Sequence, residues 1–238
     1  NFFENKFSYD SVLLPSARAA IALLIRYHQI SRQHRVFTTM WSSHCLFSTI
    51  GKFSNPTISF DTVPDMIIIN HKWGNPVKLK NSYDSILVED SADSIFLDSN
   101  SLFPNDAKYE IISLPKIIGS YSGGIVFSKD SEFTRFARKT QRENLELGKH
   151  QSIIKNFQMR GEATNFETWT DNESKNTSLD ANSLRDINRC LSRYDVNKKI
   201  IISRLKKISN YHQSPISNNE RLGPVFVFPQ KDFTLTKG

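Results

Sequence analysis

ILVEDSADSIFLDSNSLFPNDAKYEIISLPKIIGSYSGGIVFS, residues 86–128, runs twice from apolar residues into charge. Ile86-Leu87-Val88 ends in Glu89-Asp90, and a second apolar approach, Tyr109 to Leu114, ends in Pro115-Lys116, 26 residues after Asp90. Short apolar runs with polar ends are the pattern of strands buried on both faces. Two such strands deliver a carboxylate and an amine to one place.

Working outward, Asp65–Asn70 holds Met-Ile-Ile-Ile, a third buried strand, and it leads into a loop, His71-Lys72-Trp73-Gly74-Asn75-Pro76. Before it, Arg35 to Phe60 reads as a strand (Val36, Phe37), a short helix (Cys45 to Ile50) and a strand (Thr57 to Phe60). Strands alternating with helices predict an α/β fold with a mainly parallel sheet covered by helices on both sides. Such sheets place ligands beyond the carboxyl ends of their strands. His71, Asp90 and Lys116 all follow apolar runs in this way.

The chain opens with a polar and aromatic lead-in, Asn1 to Asp10. Val12 to Ile25 reads as a short apolar strand or loop turning into a helix, with Ser16 as N-cap. A helix start offers unpaired amides and a positive dipole end to a phosphate; an ordinary capped core helix has the same pattern. After Lys116, Gly123-Gly124 allow a sharp turn or a close approach, and Ile125-Val126-Phe127 form a strand. A basic amphipathic helix follows from Ser131 to Gln158, then a polar loop over 160–178. A long helical stretch runs from Leu179 to Asn210, and a last strand from Pro224 to Pro229.

Composition narrows the class. With 38% hydrophobic and 23% charged residues over 238 positions, the chain reads as soluble and globular. No run approaches the roughly 18 apolar residues of a membrane span. The first residues, Asn-Phe-Phe-Glu-Asn, show neither an initiator Met nor a signal-peptide pattern, so the start reads as trimmed or incomplete and the location as cytoplasmic. Cys45 and Cys190 lack metal-ligand spacing and read as reduced thiols, and no metal site is expected. The net charge of +7 is uneven: residues 1–130 hold 12 Lys/Arg against 12 Asp/Glu, and residues 131–238 hold 19 against 12. Those charges lie on helical patterns among acidic residues, which favours solvated helix faces over attraction of an anionic small molecule, and both over nucleic acid.

An Asp and a Lys at neighbouring strand ends suit pyridoxal phosphate chemistry. There a lysine amine forms a Schiff base with the cofactor aldehyde, and a carboxylate pairs with the pyridinium nitrogen so that the ring accepts electrons. Spacing alone favours the plainer reading, a surface Asp and a surface Lys.

Four short motifs in order add to this. Ser16-Ala17-Arg18-Ala19-Ala20-Ile21 is similar to an S-G-T-A-A-L phosphate turn, Ile69 to Pro76 to V-H-x-x-G-x-P, and Leu87-Val88-Glu89-Asp90-Ser91-Ala92 to I-E-D-A-A. Lys116 followed by Gly123-Gly124 is similar to K-x6-GG. Together they resemble the fold-type I pyridoxal-phosphate enzymes, and most closely the DegT/DnrJ/EryC1/StrS family of nucleotide-sugar aminotransferases, over about Phe2 to Asp232.

The resemblance implies Lys116 as the Schiff-base lysine and proton carrier, and Asp90 as the pyridinium partner. It implies the Ala17 and Arg18 amides with the Ser113 hydroxyl as phosphate ligands, Trp41 (or His44) as the ring-stacking residue, and His71 as a site-lining residue. It further implies a homodimer, an amino acid donor, commonly glutamate, and a keto-sugar nucleotide acceptor serving polysaccharide or antibiotic sugar synthesis. Residues 1–213 then form the large cofactor domain, and 214–238 a strand and tail left from a reduced or absent small domain. Departures from the family pattern are Ala17 and Arg18 for Gly and Thr, Asp93 where Gln, His or Cys is usual, Ser122 for Glu, and a spacing of 19 from His71 to Asp90 that implies a shortened crossover. They keep open a second reading, a catalytically impaired binding or structural protein on the same fold.

Overall fold

In the computed structural model, the described residues are 2–72, 76–80, 83–96, 102–143, 178–194, 196, 199–200, 203 and 221–222. The helices among them are α1 (Phe2–Phe7), α2 (Ala17–Tyr27), α3 (His44–Phe53), α4 (Leu114–Ile118), α5 (Ser131–Glu143) and α6 (Ala181–Ser192). The strands are β1 (Asp10–Leu14), β2 (Arg35–Thr38), β3 (Asn55–Thr57), β4 (Met66–Asn70), β5 (Ile86–Asp90), β6 (Ile95–Phe96), β7 (Tyr109–Ser113), β8 (Gly124–Ser128) and β9 (Arg221–Leu222).

Seven strands form one sheet in the order β1-β8-β7-β5-β4-β2-β3, and β6 pairs with β9 apart from it. From β3 to β7 every pairing is parallel, whereas β8 runs antiparallel to both β7 and β1. The predicted α/β class with a mainly parallel sheet is therefore present, with an antiparallel corner at one edge.

The pleat sorts side chains by parity, because successive residues of a strand point to opposite faces. Met66, Ile68, Val88, Ile111 and Val126 join α2, whose residues Ala19 to Ile25 are all buried, together with Leu46 and Ile50 of α3 and Phe133 and Ala137 of α5. Ile112, Ile125 and Phe127 face the other way, onto Phe3, Phe7, Leu102, Phe103 and Ile187. Burying one such side chain contributes on the order of 2 kcal/mol, so each face is a substantial core.

Some local expectations change. Residues 2–7 form a helix rather than a featureless lead-in: Phe3 and Phe7, one turn apart, both meet the Phe127 ring edge-on. The strand expected over Thr57–Phe60 lies instead at Asn55–Thr57. There the Asn55 amide donates to the His34 carbonyl, and the Ser59 amide turns back onto Thr57 Oγ1 to end the ladder. The expected helix over 131–158 is described to Glu143 and that over 179–210 chiefly as Ala181–Ser192. The loop over 160–177 and the strand Pro224–Pro229 lie outside the described residues. No α-helix is present among the described residues between β4 and β5.

Candidate active site

Asn70 and Asp90 are the last residues of adjacent parallel strands and lie directly opposite each other in the register. Their even parity turns both to the α2 face, where Asn70 Nδ2 donates to Asp90 Oδ2 at 2.9 Å and the Ala92 amide donates to Asp90 Oδ1 at 3.1 Å. Asp90 is 5% exposed. Burial pushes its carboxyl above the usual range, against the Asn70 and Ala92 hydrogen bonds and the nearby Lys116, which favour the anion; Asp93 pushes it further up.

Lys116 enters from the next strand. β7 ends at Ser113, Pro115 suits the first turn of α4 because its ring presets φ and it lacks the amide a first turn leaves unpaired, and Gly119, at φ +73°, closes that helix. Lys116 Nζ donates to Asp93 Oδ1 at 2.6 Å. Its side chain is 48% exposed against 20% for Asp93.

The start of α2 forms the third wall. Ser16 Oγ accepts from the Ala19 amide, and the Ser16 carbonyl from that of Ala20. First-turn amides have no intrahelical acceptor, and the helix dipole adds partial positive charge there. This turn rests on β8. The Gly123 amide donates to the Pro15 carbonyl at 2.7 Å, and a Cβ at Gly124 would stand 2.3 Å from Ser16 C and 2.4 Å from the Ala17 nitrogen. Only glycine admits that approach.

These walls enclose a cavity of about 420 Å³ lined by Asp90, Lys116, Ala17, Arg18, Trp41 and Ser113, and also by Asn70, Asp93, Ser122 and Ser183. Ser113 does not cap α4 with its side chain, and the Ser122 hydroxyl is buried with no hydrogen-bond partner. Trp41 stands at the mouth, 68% exposed, and its carbonyl accepts from Lys72 Nζ at 2.8 Å. His71 does not line the cavity. Its odd parity, shared with Glu89, turns it to the opposite face, where it is fully buried with Nε2 2.7 Å from Glu89 Oε2. His44, at the start of α3, is likewise not among the lining residues. Sequence reasoning did not find Asn70, Ser122 or Ser183 as site residues. For Asn70 the signal was present, since it ends the strand neighbouring that of Asp90.

Chemically, the cavity joins a buried carboxylate, an amine and an anion-receptive helix start. Among the described residues no group of three His, Cys, Asp or Glu could hold a metal ion, and no helix is long and apolar enough to cross a membrane.

A protein family described as "Putative PLP-dependent aminotransferase" matches residues 3–234. No curated protein sequence matches. Among solved structures the chain is similar to a DegT DnrJ EryC1 StrS aminotransferase from Brucella abortus (14% identity, TM-score 0.57, 94% of this chain and 65% of that one). It is also similar to the PLP form of Spr1654 from Streptococcus pneumoniae, described as a "putative sugar aminotransferase" (16%, 0.54, 88% and 62%), and to DesI determined with its TDP-sugar product (12%, 0.53, 82% and 51%). The chain spans less than two thirds of the length of each of these structures. At such identities the likeness is one of fold.

Proposed function

Because the chain belongs to a family of PLP-dependent aminotransferases, we propose that this cavity holds pyridoxal phosphate and serves transfer of an amino group. The convergence of Asp90, Lys116 and the α2 start on one cavity carries the reading. The residues fit the cofactor's three demands. Ala17, Arg18 and Ser113 meet the phosphate, with the partnerless Ser122 hydroxyl beside them as a further donor. Asp90 meets the ring nitrogen, and Lys116 the aldehyde.

When bound, the cofactor supplies a carbonyl that captures amines and a ring that takes up electrons. Asp90 supplies the negative charge that holds a protonated ring nitrogen, and its own reluctance to ionise is offset once a cation faces it. Asn70 and the Ala92 amide fix the orientation of that carboxylate. Lys116 would hold the cofactor through its amine and would move a proton at the reacting carbon. Trp41, at the mouth, covers the ring and limits water.

The substrates in this reading are an amino acid donor, glutamate, and a keto-sugar nucleotide. The fold-level likeness to sugar aminotransferases supports them. Exposed Trp41 at the mouth and its exposed chain neighbour Met40 support a second copy of the chain covering the site as a homodimer. The division into 1–213 and 214–238 belongs to the same reading. The alternative, a binding or structural protein on this fold, is favoured by the Lys116–Asp93 ion pair, which engages the amine that catalysis needs.

The test is an absorbance spectrum with pyridoxal phosphate for the protein and Lys116→Ala, after which one portion is reduced with borohydride and a separate, unreduced portion is treated with glutamate. A visible band fixed on Lys116 by reduction and missing from the variant supports cofactor binding. Its bleaching by glutamate supports amino transfer, whereas a band that glutamate leaves unchanged supports the binding protein. No band in either protein overturns the reading.

A further inference from the structure

We propose that Asp93 is a positioning residue that holds the Lys116 amine in an ion pair and thereby restrains it as a nucleophile until the pair opens. The inference rests on the site reading above and adds a control to it. Two fixed pieces of backbone carry the contact. Asp93 sits in the turn after β5, held by the Ser94 amide on the Ser91 carbonyl, by the Ser91 amide on the Ile111 carbonyl at 2.8 Å, and by the Ser91 hydroxyl on the buried Glu110. Lys116 sits on α4, begun by Pro115, ended by Gly119 and packed against α6. The 2.6 Å contact therefore joins two ordered segments rather than two loose side chains.

An amine attacks a carbonyl carbon with the lone pair that an ammonium has given to its proton. For Lys116 to react, that proton passes to a solvent base. The nitrogen lone pair then forms the bond to carbon, and the carbonyl oxygen leaves as water. Nothing is oxidised or reduced. A carboxylate at hydrogen-bond distance engages the nitrogen and must release it before the bond to carbon can form. Among the described residues, the other titratable groups on the cavity wall are Asp90, Arg18, Lys72, Cys45 and Tyr121, and α6 carries the Asp186–Arg189 ion pair. Among the described residues, the ion pair of Lys116 is with Asp93 alone.

The experiment uses the protein without cofactor. Trace acetic anhydride labels amines between pH 6 and 10 against a free lysine derivative as internal standard, and peptide mass spectrometry reads Lys116. At pH 8, Asp93→Asn is expected to raise Lys116 labelling about two- to fivefold, the range of a solvent-reached ion pair, and Asp93→Glu to restore the wild-type rate. Salt at 1 M, which screens such pairs, is expected to raise wild-type labelling and to leave Asp93→Asn unchanged. Equal labelling of wild type and a folded Asp93→Asn across the range overturns the proposal. Should that variant not fold, the absence of a salt effect in the wild type does the same. With pyridoxal phosphate added, the visible band is expected to form faster in Asp93→Asn. Altered labelling with no band in either protein supports the Asp93 role and overturns the cofactor reading, so the two fail separately.

Discussion

His71 Nε2 lies 2.7 Å from Glu89 Oε2 with both side chains closed to solvent, while the Val77 amide donates to His71 Nδ1 from 3.0 Å. Since Nδ1 accepts, Nε2 carries the proton and donates it to the carboxylate. Glu89 also accepts from the Asn105 amide and from Asn105 Nδ2, each at 3.0 Å. Behind the cavity wall, one buried carboxylate thus ties the loop after β4 to the loop before β7. Glu89→Ala leaves several buried donors without an acceptor. It is expected to cost about 3 kcal/mol, read as a lowered urea midpoint; a loss under 0.5 kcal/mol would contradict this role.

Acid sensitivity follows from the same group. Burial pushes the Glu89 carboxyl up, but the His71 and Asn105 bonds outweigh it, and the net position is below the usual 4.5. A folded value below the unfolded one contributes stability at higher pH that is lost as pH falls through the folded value. Between pH 5 and pH 3 the wild type should lose more stability than Glu89→Gln. Parallel urea midpoints for the two proteins would refute the claim.

Asp90 has the opposite sign. Burial raises its carboxyl, so its contribution is complete below the unfolded value and declines as pH rises through the folded one. Cofactor-free Asp90→Asn should therefore unfold at a higher temperature than the wild type at pH 8, with the difference fading at pH 4, while losing the cofactor band. A variant less stable than the wild type at both pH values would argue that Asp90 has a structural role instead.

Gly124→Ala drives a Cβ into the Ser16–Ala17 backbone at 2.3–2.4 Å. Backbone cannot swing aside as a side-chain tip can, so a cost of about 3 kcal/mol or more is expected. In whatever fraction folds, the selectivity for pyridoxal phosphate over pyridoxal should fall, because α2 has shifted. Wild-type thermal stability with unchanged selectivity would show that the contact is unimportant.

Much of this was legible in sequence because burial writes itself into strands. Met66–Ile69 and Ile86–Val88 are continuous apolar runs; the polar end of the second marked Asp90, while that of the first, Asn70, carried the same signal unread. His71 was harder to place. Its nearness to the site along the chain is real, but the pleat turns it away with Glu89, and an expectation built on loop position overlooked parity. The helix at Phe2–Phe7 was missed because two aromatics one turn apart declare a face only when Phe127 is there to meet it. Ser122 and Ser183 carry no local signature, since their place on the cavity wall depends on how β8 and α6 pack.

The rest of Ser16 against Gly124 also bears on how the protein is made. A nascent chain exposes α2 long before β8 exists, and closing so long a loop costs entropy that is recovered only when the sheet edge zips. The anion-receptive turn therefore has no floor during early synthesis. A phosphate reaching this turn would then meet a sheet edge already zipped.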